Sequence, residues 1–243
     1  PVSSESGIST TALFLVLAHF AIVFLISSAM MSPTYLSAAV RRMLLGEHKV
    51  CGLTRVEDAQ AAYNAGAFYG GLIFVPTSPR AVSEDQARDV INAAPLSYVG
   101  VFRNTPVADV VARATELGLS AVQLHGDEDQ AYIDALRAEL PASVQIWKAL
   151  SVADTLPARD LNHVDKYVFD NGQGGSGQRF DWALLQGQDL SNVILAGGLS
   201  ADNCVTAAKS GCVGLDFNSG VELQPGIKDA SKLASAFQTL RAY

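Results

Sequence analysis

From Lys49 onward, short apolar runs alternate with longer stretches of helical periodicity. The apolar runs predict strands at 49–53 (KVCGL), 70–75 (GGLIFV), 97–102 (SYVGVF), 121–125 (AVQLH), 145–150 (QIWKAL), 166–170 (KYVFD), 193–197 (VILAG) and 213–217 (VGLDF). Between them lie helical patterns such as 56–66, 83–94, 107–118 and 129–140. Ser83, Asp202 and Asp229 stand where a helix start needs a capping oxygen. Gly66 and Gly118 stand where a helix end needs positive φ. Eight βα units in about 195 residues predict an α/β fold, a compact (β/α)₈ TIM barrel. An open doubly wound sheet fits less well, because no GxGxxG follows the first strand.

Two strand ends near the C-terminus carry further information: VILAGGLSADN (193–203) and GLDFNSGVE (214–222). Each apolar run stops at small residues before an expected helix. Backbone N–H groups at such a turn form an anion site. Loops after strands 7 and 8 of a barrel form its phosphate grip. A phosphorylated small molecule is therefore the expected ligand.

Residues 1–47 break the pattern. No charged residue lies between Glu5 and Arg41, and 12–31 (ALFLVLAHFAIVFLISSAMM) is almost wholly apolar. That run meets the length of a membrane-spanning helix, and Arg41, Arg42 and Lys49 would place the C-terminal part in the cytoplasm. The competing reading is soluble core, with Phe24-Leu25-Ile26 a buried strand reaching a polar loop at Ser27 and Ser28.

Composition narrows the function. The chain of 243 residues is 49% hydrophobic and carries a net charge of −7 without a basic run, which argues against nucleic acid as partner. Three widely spaced cysteines (Cys51, Cys204, Cys212) supply no disulfide framework, and four scattered histidines supply no metal motif. The expectation is a cytoplasmic protein without metal or cofactor.

In a TIM barrel the chemistry sits at the C-terminal strand ends. Reading across them gives Cys51, Phe74, Arg80, Phe102, Arg103, His125, Lys148, Asp170, Gly197 and Asp216. Cys51 is a candidate thiolate whose pKa Arg80 or Arg103 would lower, or else a buried small hydrophobe. Asp170 closes an apolar strand ahead of a loop with four glycines, Gly175 among them; it is a reactive carboxyl or a surface Asx turn. Arg80, beside Pro76 and Pro79, either grips a substrate carboxylate or is solvated. His125 is a substrate contact or a polar core group. Cys204 and Cys212 read as structural.

Taken together, KVCGLT, GGLIFVPTSPR, VGVFRN, VQLHG, WKAL, DNGQGGSGQRFDW, LAGGLSADN and GLDFNSGVE resemble the phosphoribosylanthranilate isomerases of tryptophan biosynthesis. The resemblance covers residues 48–243 and is nearest to the isomerase half of the enterobacterial bifunctional protein. There an indole-3-glycerol-phosphate synthase barrel comes first. SESGI, FLISSAMM and LSAAVRRMLLGEHKV are similar to its last two βα units and connecting helix, so residues 1–47 are expected to be a synthase remnant without synthase activity. This disfavours a membrane span. The resemblance implies an Amadori rearrangement with Asp170 as general acid and Cys51 as base. It places Arg80 on the anthranilate carboxylate. His125, Gly175, Gly197, Gly198, Asp216, Asn218, Ser219 and Gly220 would be the remaining substrate contacts. No cofactor is implied, and a monomer is expected. The alternatives are a histidine-pathway sugar-phosphate isomerase, which uses two aspartates, and a non-catalytic or membrane-tethered remnant.

Overall fold

The computed structural model describes residues 45–171 and 180–243. The apolar run 12–31, the expected strand Phe24-Leu25-Ile26 and Gly175 lie outside them. Eight parallel strands close into a barrel in the order β1 to β8. They are β1 (Lys49–Val50), β2 (Tyr69–Ile73), β3 (Ser97–Phe102), β4 (Ala121–Leu124), β5 (Gln145–Ser151), β6 (Lys166–Asp170), β7 (Val193–Leu195) and β8 (Gly214–Phe217). Each expected apolar run supplies one strand. Closure is made by β1, whose Lys49 is in register with Tyr69 of β2 on one side and Asp216 of β8 on the other. The open-sheet alternative is thereby overturned.

Helices α1 (Val56–Ala65), α2 (Glu84–Ala93), α3 (Val107–Glu116) and α4 (Gln130–Glu139) follow the first four strands, as expected. Ser83 forms a reciprocal capping box with Gln86, and Gly66 ends α1 at φ 112°. The second half departs from the regular alternation. No helix stands in 152–165, where Pro157 lacks the N–H a helix needs and His163 takes φ 61°. After β6 the chain makes only a 3₁₀ turn at Trp182–Leu185 among the described residues.

Asp202 does not cap its helix. Its amide donates to Ser200 Oγ, and α5 (Cys204–Ala208) begins after Asn203. Asn203 ties the turn instead, accepting from the Ser200 amide and donating to the Gly198 carbonyl. No helix follows β8 directly either. A 3₁₀ turn (Ser219–Val221) leads into a hairpin of β9 (Glu222–Gln224) and β10 (Ile227–Lys228). Only then does α6 (Ala230–Ala242) start, capped by Asp229.

Alternation along the strands sends one set of side chains outward to the helices and the other into the barrel. Outward residues such as Val50, Leu72, Phe102, Leu124, Ile146 and Phe169 build the large core. Inside, Tyr69, Val99, Ala121, Trp147, Val168 and Ile194 form one layer, with Tyr69 edge-on to Trp147 at 4.8 Å. Nearer the mouth lie Cys51, Ile73 and Val101. Below them the floor is pinned by Lys166 Nζ and the Tyr69 hydroxyl, which donate to Glu47 at 2.9 and 3.1 Å. Among the described residues no helix is long and apolar enough to cross a membrane.

His48 helps to close the β1–β8 seam. Its Nδ1 accepts from the Leu215 amide at 3.1 Å, and its ring meets Phe237 edge-on. Burial pushes its pKa down to about 4. The unfolded chain takes up this proton near pH 6.5 and the folded chain only near 4, so the contribution is complete above pH 6.5 and lost on acidification. Urea unfolding is expected to show up to about 3 kcal/mol of loss between neutral pH and pH 4 from this group. A His48→Asn variant should lack that component; an unaltered pH dependence would contradict the assignment.

Candidate active site

A cavity of about 890 Å³, counted to its open mouth, lies at the C-terminal ends of the strands. Of the residues expected there, Cys51, Arg80, Arg103, His125 and Asp170 all border it. So do Gly197, Gly198, Asp216, Asn218 and Ser219. Gly220 lies outside this wall. Its Cα packs against the Leu199 carbonyl, where a Cβ would collide, so it seats the β8 loop on the β7 loop. The β7 turn needs its glycines, because Gly197 and Gly198 take φ 97° and 60°. Phe74, Phe102 and Lys148 turn away from the cavity. The two rings stack on each other at 5.3 Å, and Lys148 pairs with Glu128 at 2.7 Å.

Cys51 is both buried and on the cavity wall, so the two sequence readings of it are not exclusive. Its amide continues the β1 ladder by donating to the Phe217 carbonyl at 2.8 Å. The expected lowering of its pKa by Arg80 or Arg103 is not what the structure shows. Burial pushes the thiol up, and Lys49 is the foremost cation opposing that. Lys49 is fully buried, with Nζ 2.7 Å from Asp216 Oδ2. Asp216 is itself held above the usual carboxylate range by burial, only partly offset by Lys49.

Asp170 ends β6, three strands round the barrel from β1. Its Oδ1 accepts from the Asn171 amide at 2.8 Å, the local turn expected of an Asx residue. It also borders the cavity, and burial pushes its pKa up, so it holds its proton to higher pH than a surface aspartate. The Asx and reactive readings therefore coexist.

Arg80 is not a solvated loop residue. It is buried, and its Nε and Nη2 donate to Glu222 at 2.9 and 2.7 Å. Lys228 donates to the same carboxylate at 2.8 Å and to Asn218 Oδ1 at 2.9 Å. Glu222 thus fixes one edge of the guanidinium, through Nε and Nη2, on a residue that borders the cavity. His125 Nδ1 lies 3.2 Å from Gln123 Nε2, and burial lowers its pKa, so the ring is neutral at pH 7. No group of three His, Cys, Asp or Glu among the described residues could hold a metal ion.

Sequence reasoning missed Lys49, Glu222 and Lys228. Lys49 could have been found, since it lies two positions before Cys51 on one strand face. Glu222 and Lys228 could not, because the hairpin that brings them to Arg80 leaves no periodic signal.

A closed parallel eight-stranded barrel with a buried thiol and a buried carboxyl on one mouth cavity defines the (βα)₈-barrel class, with its candidate chemistry at the C-terminal strand ends. Residues 48–239 match the family model of N-(5'phosphoribosyl)anthranilate (PRA) isomerase. The tryptophan biosynthesis protein TrpCF of Salmonella typhi is 71% identical over 242 residues, covering 100% of this chain and 54% of that protein. The chain spans about half the length of the curated relatives it matches. The crystal structure of phosphoribosyl anthranilate isomerase from Thermus thermophilus aligns with TM-score 0.71 at 34% identity, over 81% of this chain and 98% of that one. A phosphoribosyl anthranilate isomerase in complex with reduced 1-(o-carboxyphenylamino)-1-deoxyribulose 5-phosphate aligns with TM-score 0.68 at 26% identity, over 82% and 100%. The chain belongs to the PRA isomerase family.

Glu222 serves two buried cations at once. Glu222→Ala leaves both without their counter-ion and is expected to cost about 3–5 kcal/mol, read as a fall in the urea midpoint. A change below about 1 kcal/mol would mean that water replaces the carboxylate.

Proposed function

We propose that the chain catalyses the Amadori rearrangement of N-(5-phosphoribosyl)anthranilate to 1-(2-carboxyphenylamino)-1-deoxyribulose 5-phosphate, within tryptophan biosynthesis. The observation that carries this reading is that Cys51, after β1, and Asp170, at the end of β6, border one cavity in a chain that belongs to the isomerase family. Asp170, whose burial favours the protonated form, gives its proton to the ribose ring oxygen. The C1′–O bond breaks and the anthranilate nitrogen becomes a protonated Schiff base. Cys51, as thiolate, removes the C2′ proton, and the electron pair moves to that nitrogen. The enolamine then gains a proton at C1′ and loses one from the C2′ hydroxyl, giving the ketone. The substrate nitrogen is the electron sink, so the reading needs no cofactor.

Arg80 holds the anthranilate carboxylate with the edge that Glu222 leaves free. The backbone at Gly197, Gly198 and Ser219 receives the 5′-phosphate, with Gly220 setting the loop. His125, Asp216 and Asn218 complete the contacts, and Gly175 belongs to the loop after Asp170. The solved relative bound to a reduced product analogue supports this ligand class. A cytoplasmic monomer is part of the same reading. Family membership sets aside the histidine-pathway alternative.

Anthranilate fluorescence, with phosphoribosylanthranilate generated in situ, tests the roles. Cys51→Ala and Asp170→Asn are each expected to lower kcat by about 10²–10⁴ with KM little changed. Near-normal turnover in either would remove that residue from the mechanism. Because the acid acts protonated, kcat should fall as pH rises through the raised Asp170 pKa.

Residues 1–47 we read as the end of a preceding synthase barrel. Support comes from the Salmonella relative, which matches this chain along its whole length yet is nearly twice as long. Deleting residues 1–35 is expected to leave isomerase turnover within about two-fold and to improve solubility, since the run 12–31 is apolar. Loss of activity would make the front segment part of the working fold.

A further inference from the structure

The mechanism asks for a thiolate, yet the thiol lies where burial opposes its charge. Lys49 and Cys51 are two residues apart on one strand, so both side chains enter the barrel. The backbone of β2 shows how close they come. A Cβ built on Gly71 would lie 2.8 Å from Cys51 Sγ and 3.0 Å from Lys49 Cε. Cys51 Sγ and Lys49 Cε, the carbon that carries the ammonium, therefore approach the same point of β2. On its other side, Lys49 Nζ meets Asp216 Oδ2 at 2.7 Å, while Asp216 Oδ1 is buried and without a partner.

Charge counting decides what this cluster can do. Lys49 and Asp216 form a neutral pair. Ionising Cys51 beside them and losing its proton to water would leave a net buried anion, which a low-dielectric interior penalises. Moving that proton to the open Oδ1 of Asp216 keeps the three groups at zero. An S–H bond breaks and an O–H bond forms, with no change of oxidation state. Lys49 keeps its three protons throughout and changes only its anion.

We propose that Lys49 is a positioning residue for the isomerase base: its ammonium, paired with Asp216 at rest, becomes the counter-ion of the Cys51 thiolate when the thiol proton passes to Asp216. This rests on Cys51 being the base. Other charges face the sulfur, but they are otherwise engaged. Arg80 and Lys228 are held by Glu222 at 2.7 and 2.8 Å. Asp170, His125 and Arg103 come from β6, β4 and the end of β3, on the other walls of the cavity.

The test is the pH dependence of Cys51 alkylation by iodoacetamide in the full chain. Peptide mass spectrometry separates it from Cys204 and Cys212. In a Lys49→Met/Asp216→Asn double variant, which replaces the ion pair by neutral groups, the alkylation midpoint should rise by about one to three pH units. Lys49→Arg should bring it back toward the parent. Asp216→Asn alone removes the competing anion, so its midpoint should fall. A folded double variant with the parental midpoint overturns the proposal. Should the double variant not fold, an unchanged or raised midpoint in Asp216→Asn overturns it instead. Failure of the base assignment is read separately: it would show as full turnover in Cys51→Ala, whatever the alkylation midpoints do.

Discussion

Lys49 and Asp216 hold the two ends of the barrel together. The first strand has only two residues in the ladder, and the last strand must find it across 167 positions of chain. Apolar packing alone specifies register weakly for so short a strand. A buried ammonium with one correct carboxylate specifies it sharply, since a slip would leave both charges unpaired at a cost of several kcal/mol. His48 adds a neutral acceptor for the Leu215 amide one position earlier on the same seam. The strands between β1 and β8 form a cylinder because this seam closes.

Closure also sets the electrostatics of the mouth. Near Cys51, three buried cations (Lys49, Arg80, Lys228) meet two carboxylates (Asp216, Glu222). Lys49 and Asp216 cancel, while Arg80 and Lys228 share the single carboxylate Glu222, so that edge of the mouth is locally positive within a chain of net charge −7. That contrast suits a small anionic ligand. The acidic exterior repels polyanions, while the low-dielectric mouth concentrates positive potential where a carboxylate and a phosphate would sit.

How much of this could be read from one sequence depends on the range of each interaction. The eight strands were legible, because a buried parallel strand shows as a local apolar run and the periodicity does not need its partner. Cys51, Arg80 and Asp170 were legible as candidates, because polar groups ending such runs are unusual. Their environments were not. The Arg80–Glu222 pair spans 142 residues, and nothing near Arg80 in the chain foretells it. The failure at Asp202 has another cause. Its neighbours Ser200 and Asn203 have side chains equally able to tie a turn, and local pattern does not rank competing polar groups. The missing helix at 152–165 had a visible warning in Pro157, which regular alternation elsewhere made easy to overlook.

Distance likewise bears on how the proposed acid and base would differ although burial raises both pKa values. Asp170 has a backbone amide and Lys49 to moderate its burial, and burial still favours its protonated form. Cys51 has Lys49 as its foremost opposing cation and Asp216 paired with that lysine, which in the proposed reading would take the thiol proton. In the proposed reading, two groups pushed the same way by desolvation take opposite tasks because their nearest charges differ. The proposed acid ends β6 and the proposed base stands on the closing seam. On that reading, the interaction that completes the barrel also supplies the charge that a Cys51 thiolate would need.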